Sequence, residues 1–165
     1  MTIIEILLKE FEQEAQATRK FLKLVPEDKF DWRPHPKSMN LQQLTTHIAE
    51  LPAWVTMAIT TDGLDFGAVP YEPSKIDNSA DLLEFFETSY ADGLAHLQAF
   101  DEAELGKQWV LRNGEQILAD MNKYETIRVA LTQTIHHRAQ LGVFLRLLNI
   151  PIPGTYGPSA DELGL

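Results

Sequence analysis

The chain has 165 residues, no cysteine, 44% hydrophobic residues and a formal net charge of −10. That length suits one domain over 1–165, with enough apolar content for a core and no disulfide, thiolate metal ligand or cysteine nucleophile. An acidic chain without clustered Lys and Arg lacks the phosphate-tracking surface that nucleic acid or an anionic membrane surface requires.

The first predicted helix runs from about Ile3 to Val25. Ile4, Leu7, Leu8, Phe11, Ala15, Thr18 and Leu22 recur at steps of three and four, one helix face, and Pro26 stops it. The start, MTIIEILLKEFEQEAQ, has no basic segment followed by an apolar run, so it is not read as a signal peptide. No stretch approaches the ~18 apolar residues of a membrane helix. The expectation is a soluble, cytoplasmic protein.

EDKFDWRPHPKSMN, 27–40, reads as a structured loop with Phe30 and Trp32 tucked against the helices. Asn40 is the expected N-cap of the second helix, with Gln43 completing a capping box. That helix is predicted from about Leu41 to near Thr60, with a kink just after His47 because Pro52 removes the hydrogen bond to the Ile48 carbonyl. Residues 61–78 form a long connection, as a crossover needs. Asn78 or Ser79 caps the third helix, which runs to about Phe100 with Leu83, Phe86, Tyr90, Leu94 and Leu97 as its apolar line. Asn113-Gly114 inside WVLRNGEQIL is a strong hairpin signal. The last helix is predicted from about Met121 to Asn149, followed by the tail PIPGTYGPSADELGL. These elements predict an all-α fold: a four-helix bundle with a long crossover and a small hairpin before the last helix.

Five histidines carry the candidate chemistry. His35 sits between prolines in a loop, and His96 lies on the more polar side of the third helix. His47 falls on the apolar face with Leu44 and Leu51, where an imidazole needs hydrogen-bond partners or a metal. In TQTIHHRAQL, 132–141, adjacent residues point ~100° apart. His137 aligns with Ala130, Gln133, Thr134, Leu141 and Phe144 on the apolar face, and His136 flanks it. One inward histidine on each of two helices can pack with carbonyl or carboxylate partners, or can begin a metal site.

Three segments resemble the DinB/YfiT-like family of metal-binding four-helix bundles: DWRPHPKSMNLQQLTTHIAE (31–50), IHHRAQLGVFLRLLNIPIP (135–153) and YGPSADE (156–162). The resemblance spans nearly the whole chain. It implies a divalent metal, nickel or zinc, held by one histidine of the second helix and an i, i+4 pair on the fourth. His47 matches the first position and His137, before Arg138, the last; the middle position falls on Gln133. A glutamine carbonyl is a harder, weaker donor for these metals than imidazole. Glu50, one turn after His47, is a further oxygen ligand or an acceptor for a histidine N–H. Arg138 and Gln140 match the family segment and are expected to bond the 31–40 loop or the tail, with Tyr156 and Ser159 docking that tail.

The resemblance implies two functions. One is a metal-dependent thiol S-transferase or hydrolase-type enzyme that takes a small-molecule thiol or water. The other is a non-catalytic, stress-related bundle with a degenerate metal site. It also implies a homodimer; Phe85 and Leu147, apolar residues outside the main stripes, suit either a dimer face or a side of the core. DNA binding, suggested only by the family name, is disfavoured by the net charge of −10.

Overall fold

A computed structural model describes residues 1–68 and 71–165. Positions 69 and 70 of the 61–78 connection therefore lie outside the described residues.

The helices are α1 (Ile3–Leu22), α2 (Leu41–Glu50), α3 (Ala53–Thr60), α4 (Ser79–Ala99) and α5 (Lys123–Leu147). Side-chain caps open four of them. Thr2, Asn40 and Asn122 each form a capping box with Glu5, Gln43 and Glu125, and Asn78 accepts from the Asp81 amide. Phe30 is buried, and Trp32 meets the Phe144 ring edge-on at 5.5 Å, so the loop before α2 closes one end of the core.

The predicted second helix is two helices, and the break falls at Leu51–Pro52 rather than just after His47. The Leu51 amide still donates to the His47 carbonyl at 3.2 Å. Helical bonding therefore survives until Pro52, which has no N–H to offer Ile48. The chain then tightens, with the Trp54 and Val55 amides donating to Leu51 and Pro52 carbonyls at 3.0 and 3.1 Å. The buried Lys123 side chain donates to the Ile59 and Thr61 carbonyls and so closes the end of α3.

α4 and α5 each pack against α1, α2 and α3 around the core. Phe86, Leu41, Leu44, Ile48 and Leu141 fill one end; Leu7, Phe11, Val55, Leu97 and Leu131 fill the other. The innermost line of α4 is Leu82, Phe86, Ser89, Gly93 and Leu97, while the predicted Leu83, Tyr90 and Leu94 only flank it. Small residues occupy the closest approach. A Cβ on Gly93 would stand 2.6 Å from the Pro52 carbonyl and 3.1 Å from the Phe11 ring. A period search for large apolar residues misses such a line. Phe85 packs against the core, whereas Leu147 is exposed.

The all-α expectation is corrected by a small sheet. β2 (Gln108–Asn113) and β3 (Gln116–Asn122) are antiparallel, the predicted hairpin, with Gly114 at φ 59° in its turn. The hairpin takes in Met121 and Asn122, so α5 starts later than predicted. β1 (Gly63–Asp65) adds to β2 in parallel. Three residues cannot display an alternating pattern, and their pairing partner lies far away in the chain. The Asp65 carboxylate accepts the Gly67 and Gly114 amides at 2.8 Å, which ties the connection to the hairpin turn and lowers the Asp65 pKa.

No helix among the described residues is long and apolar enough to cross a membrane. The tail docks on α5 through Asp161, which takes Arg146, and folds on itself where Asp161 also takes the Ile152 amide and Glu162 the Gly154 amide. The Arg146 hydrogen bond, then the Ile152 amide, lower the Asp161 pKa to about 2 from 3.8. Such a group supports docking fully above its unfolded pKa and loses that support as pH falls through its folded one. The Ile152 amide resonance is expected to titrate with a midpoint near pH 2 in an acid series. A midpoint near pH 4 would show that Asp161 does not hold the tail.

Candidate metal centre

α2 and α5 bring His47 and His137 together. Their ring centroids are 4.7 Å apart, edge to face at 79°. Both are half-buried. α2 is held in register by the Asn40 cap, and α5 by its contacts with α1, α2 and α3.

Each ring has one nitrogen engaged. Nδ1 of His47 lies 2.6 Å from Oε1 of Glu50, a buried carboxylate one turn later. A carboxylate only accepts, so Nδ1 carries a proton, and in the corresponding neutral tautomer the lone pair sits on Nε2. Nδ1 of His137 lies 3.0 Å from Oε1 of Gln140, while Nε2 of Gln140 reaches Nε2 of His136 at 3.0 Å. In this orientation the amide accepts from His137, and its Nε2 lone pair is again available. Burial lowers the His137 pKa, and the nearby His47 and His136 rings add to the effect against the Gln140 hydrogen bond. Near neutral pH the ring is therefore uncharged, the form that binds metals.

Tyr71 completes the carboxylate's shell. Its hydroxyl donates to both Glu50 oxygens at 2.9 Å. Burial, then the Glu50 carboxylate, push the phenol up to about 12, so it remains a donor throughout the neutral range. The order Tyr71–Glu50–His47 matches the outer partners that fix a ligating imidazole.

Gln133 lies one turn before His137 on α5, half-buried. Among the described residues no three His, Asp or Glu side chains converge as a metal cage. The donor set consists of two imidazoles with prepared tautomers, and a third protein donor would be an amide oxygen. That set fits a divalent cation with open positions and is weaker than three imidazoles.

The other histidines stay apart, as their positions suggested. His35 is exposed and accepts the Lys37 amide at 3.1 Å. His96 binds the Asp92 carbonyl at 2.9 Å, beside Thr56. His136 is exposed, with its ring 4.9 Å from that of His137.

Arg138 turns away from the site. It is 2% exposed and pairs at 2.6 Å with Glu14, which is 6% exposed. It also donates to the Glu14 carbonyl, Thr18 Oγ1 and the Tyr156 hydroxyl. Of its two expected partners the tail is present; α1 supplies the other. Tyr156 in turn donates to Glu14. Gln140, expected to bond the loop or the tail, instead sits between two histidines. Ser159 Oγ accepts the Glu162 amide at 3.2 Å, inside the docked tail.

A cleft of about 780 Å³ opens over His47, between the start of α2 and the segment Tyr71–Ile76. Sequence reasoning missed Tyr71, whose contact with Glu50 crosses a proline-rich connection. Glu14 had a signal: it lies three residues after Phe11 and four before Thr18, both on the α1 apolar line.

The fold and site define a mostly helical protein with a small sheet and an inward histidine pair between two helices. The chain belongs to the DinB family, whose model matches residues 2–163. It is 26% identical to the uncharacterized protein YrdA of Bacillus subtilis (strain 168), covering 96% of this chain and 91% of that one. It is similar in fold to a DinB-like protein of Bacillus cereus ATCC 10987: TM-score 0.70, 17% identity, 92% of this chain and 97% of the other. The DinB-like protein YjoA of Bacillus subtilis gives a TM-score of 0.69 at 17% identity, over 90% of this chain and 96% of that one.

Proposed function

We propose that this DinB-family chain binds a divalent metal, nickel or zinc, with His47 and His137 as imidazole ligands and Gln133 as an oxygen donor. The observation that carries the reading is the pair of adjacent rings whose Nδ1 atoms are both taken by acceptors, Glu50 and Gln140. Such acceptors satisfy a buried imidazole and also fix the tautomer that leaves the Nε2 lone pair of each ring for a metal.

A bound divalent cation supplies Lewis acidity, which eases deprotonation of a thiol or water near neutral pH. Glu50 holds the His47 Nδ1 proton and orients its ring. Gln140 does the same for His137, and burial keeps that ring neutral. The proposed reaction is a thiol S-transferase or hydrolase-type step on a small-molecule thiol or water. The thiol comes from a cosubstrate, since the chain has no cysteine. A second reading, a non-catalytic bundle with a degenerate site, draws on the amide at position 133 and on the absence of a three-residue His/Asp/Glu cage among the described residues.

Calorimetric titration of chelator-stripped protein with nickel and zinc separates the two. The metal reading expects one saturable site, abolished by His47→Ala or His137→Ala. Glu50→Ala is expected to weaken it by about 10–100-fold, the usual effect of losing an outer partner. No saturable heat, or heat indifferent to both histidine variants, supports the degenerate bundle.

A further inference from the structure

We propose that the cleft over His47 binds a small organic anion, its acid group at Lys37 and Lys75 and its apolar body along Met39, Pro73 and Ile76. This names the substrate class for the metal reading and rests on it only for the reaction, not for the binding.

The charge distribution carries the inference. The chain has 24 Asp and Glu against 14 Lys and Arg. The lining of the cleft inverts that balance: Lys37 and Lys75 contribute, and no Asp or Glu lines it among the described residues, the nearest carboxylate, Glu50, standing behind His47 and Tyr71 with its oxygens bonded to them. A concave surface with one sign of charge and low-dielectric walls focuses the field on a ligand of opposite sign. Lys75 touches Asp77 at 3.3 Å, but both side chains are exposed, and such a pair yields readily to a competing anion.

Size and lining fix the class further. About 780 Å³ lies within the range of small-molecule sites. Three apolar side chains and the Tyr71 ring offer a wall for an aliphatic or aromatic body. Asn40 and Gln43 spend their side chains on capping α2, so charge recognition falls to the lysines. His47 lines the same cleft, which sets the far end of such a ligand beside the candidate metal centre. The chain's overall negative charge repels polyanions, so the ligand carries few acid groups.

The test uses the full chain, stripped of metal and labelled with ¹⁵N, and two probes. Hippurate presents a carboxylate and phenyl phosphate a phosphate, each on an aromatic body; hippuramide is the uncharged control. The expected result is saturable shifts confined to the amides of 37–47 and 71–76, with hippuramide at least about tenfold weaker. Lys37→Met/Lys75→Met is expected to weaken the charged probes about tenfold and leave the melting temperature unchanged. The tighter probe identifies which acid group the lysines take. No saturation by either probe up to about 10 mM, shifts elsewhere, equal binding of hippuramide, or indifference to the double variant each overturn the proposal. Because metal is absent throughout, a failed nickel titration leaves this test intact.

Discussion

Arg138→Met is expected to lower unfolding stability by about 3–5 kcal/mol, because it leaves the Glu14 carboxylate buried without its cation. The pair is nearly dry, and the variant also removes donors from the Glu14 carbonyl, Thr18 and Tyr156. At about 2–4 °C per kcal/mol for a chain of this size, the melting temperature should fall by roughly 6–20 °C. The double variant Glu14→Gln/Arg138→Met removes both charges and should recover part of the loss. The tail should loosen in the single variant, since Tyr156 loses the Arg138 contact that anchors it. Thermal unfolding of the three proteins, with limited proteolysis after Ile152, reads both effects. A loss below about 1 kcal/mol, the range of an exposed pair, would contradict the buried-pair account.

Gln133→His is expected to tighten nickel and zinc binding by at least about 100-fold, above the span that outer partners alone command. The substitution replaces a neutral amide oxygen with an imidazole one turn before His137, on the same face of α5. It makes a third imidazole available without altering Glu50 or Gln140, so the two prepared rings stay as they are. Competition against a calibrated chelator measures the gain. An unchanged affinity would mean that position 133 faces away from the metal.

The helices were legible because large apolar residues repeat at helical spacing and because Asn40 and Asn78 cap two of them; the Asn122 cap was not, because the hairpin strand runs directly into it. The hairpin was legible from Asn113-Gly114. β1 was not, since three residues carry no period and pair with a distant strand. The position of the α2–α3 break was misjudged because Pro52 acts on the turn that contains it, leaving the bond from Leu51 to His47 in place. The α4 face was misread where Ser89 and Gly93 replace bulk with close approach. At the candidate site, helical spacing placed His47 and His137 on apolar faces and set His136 aside, while their role as ligands came from the family resemblance. Glu50 was legible one turn from His47. Tyr71 and the lysines of the cleft were not, because a loop delivers them and no local pattern encodes which helix it covers.

X-ray absorption spectroscopy on nickel-loaded protein tests the central claim most directly. The account predicts two imidazoles per nickel, with oxygen or nitrogen donors completing the shell, and a third imidazole in Gln133→His. A wild-type spectrum without imidazole scattering, or one unchanged in His47→Ala/His137→Ala, would contradict it.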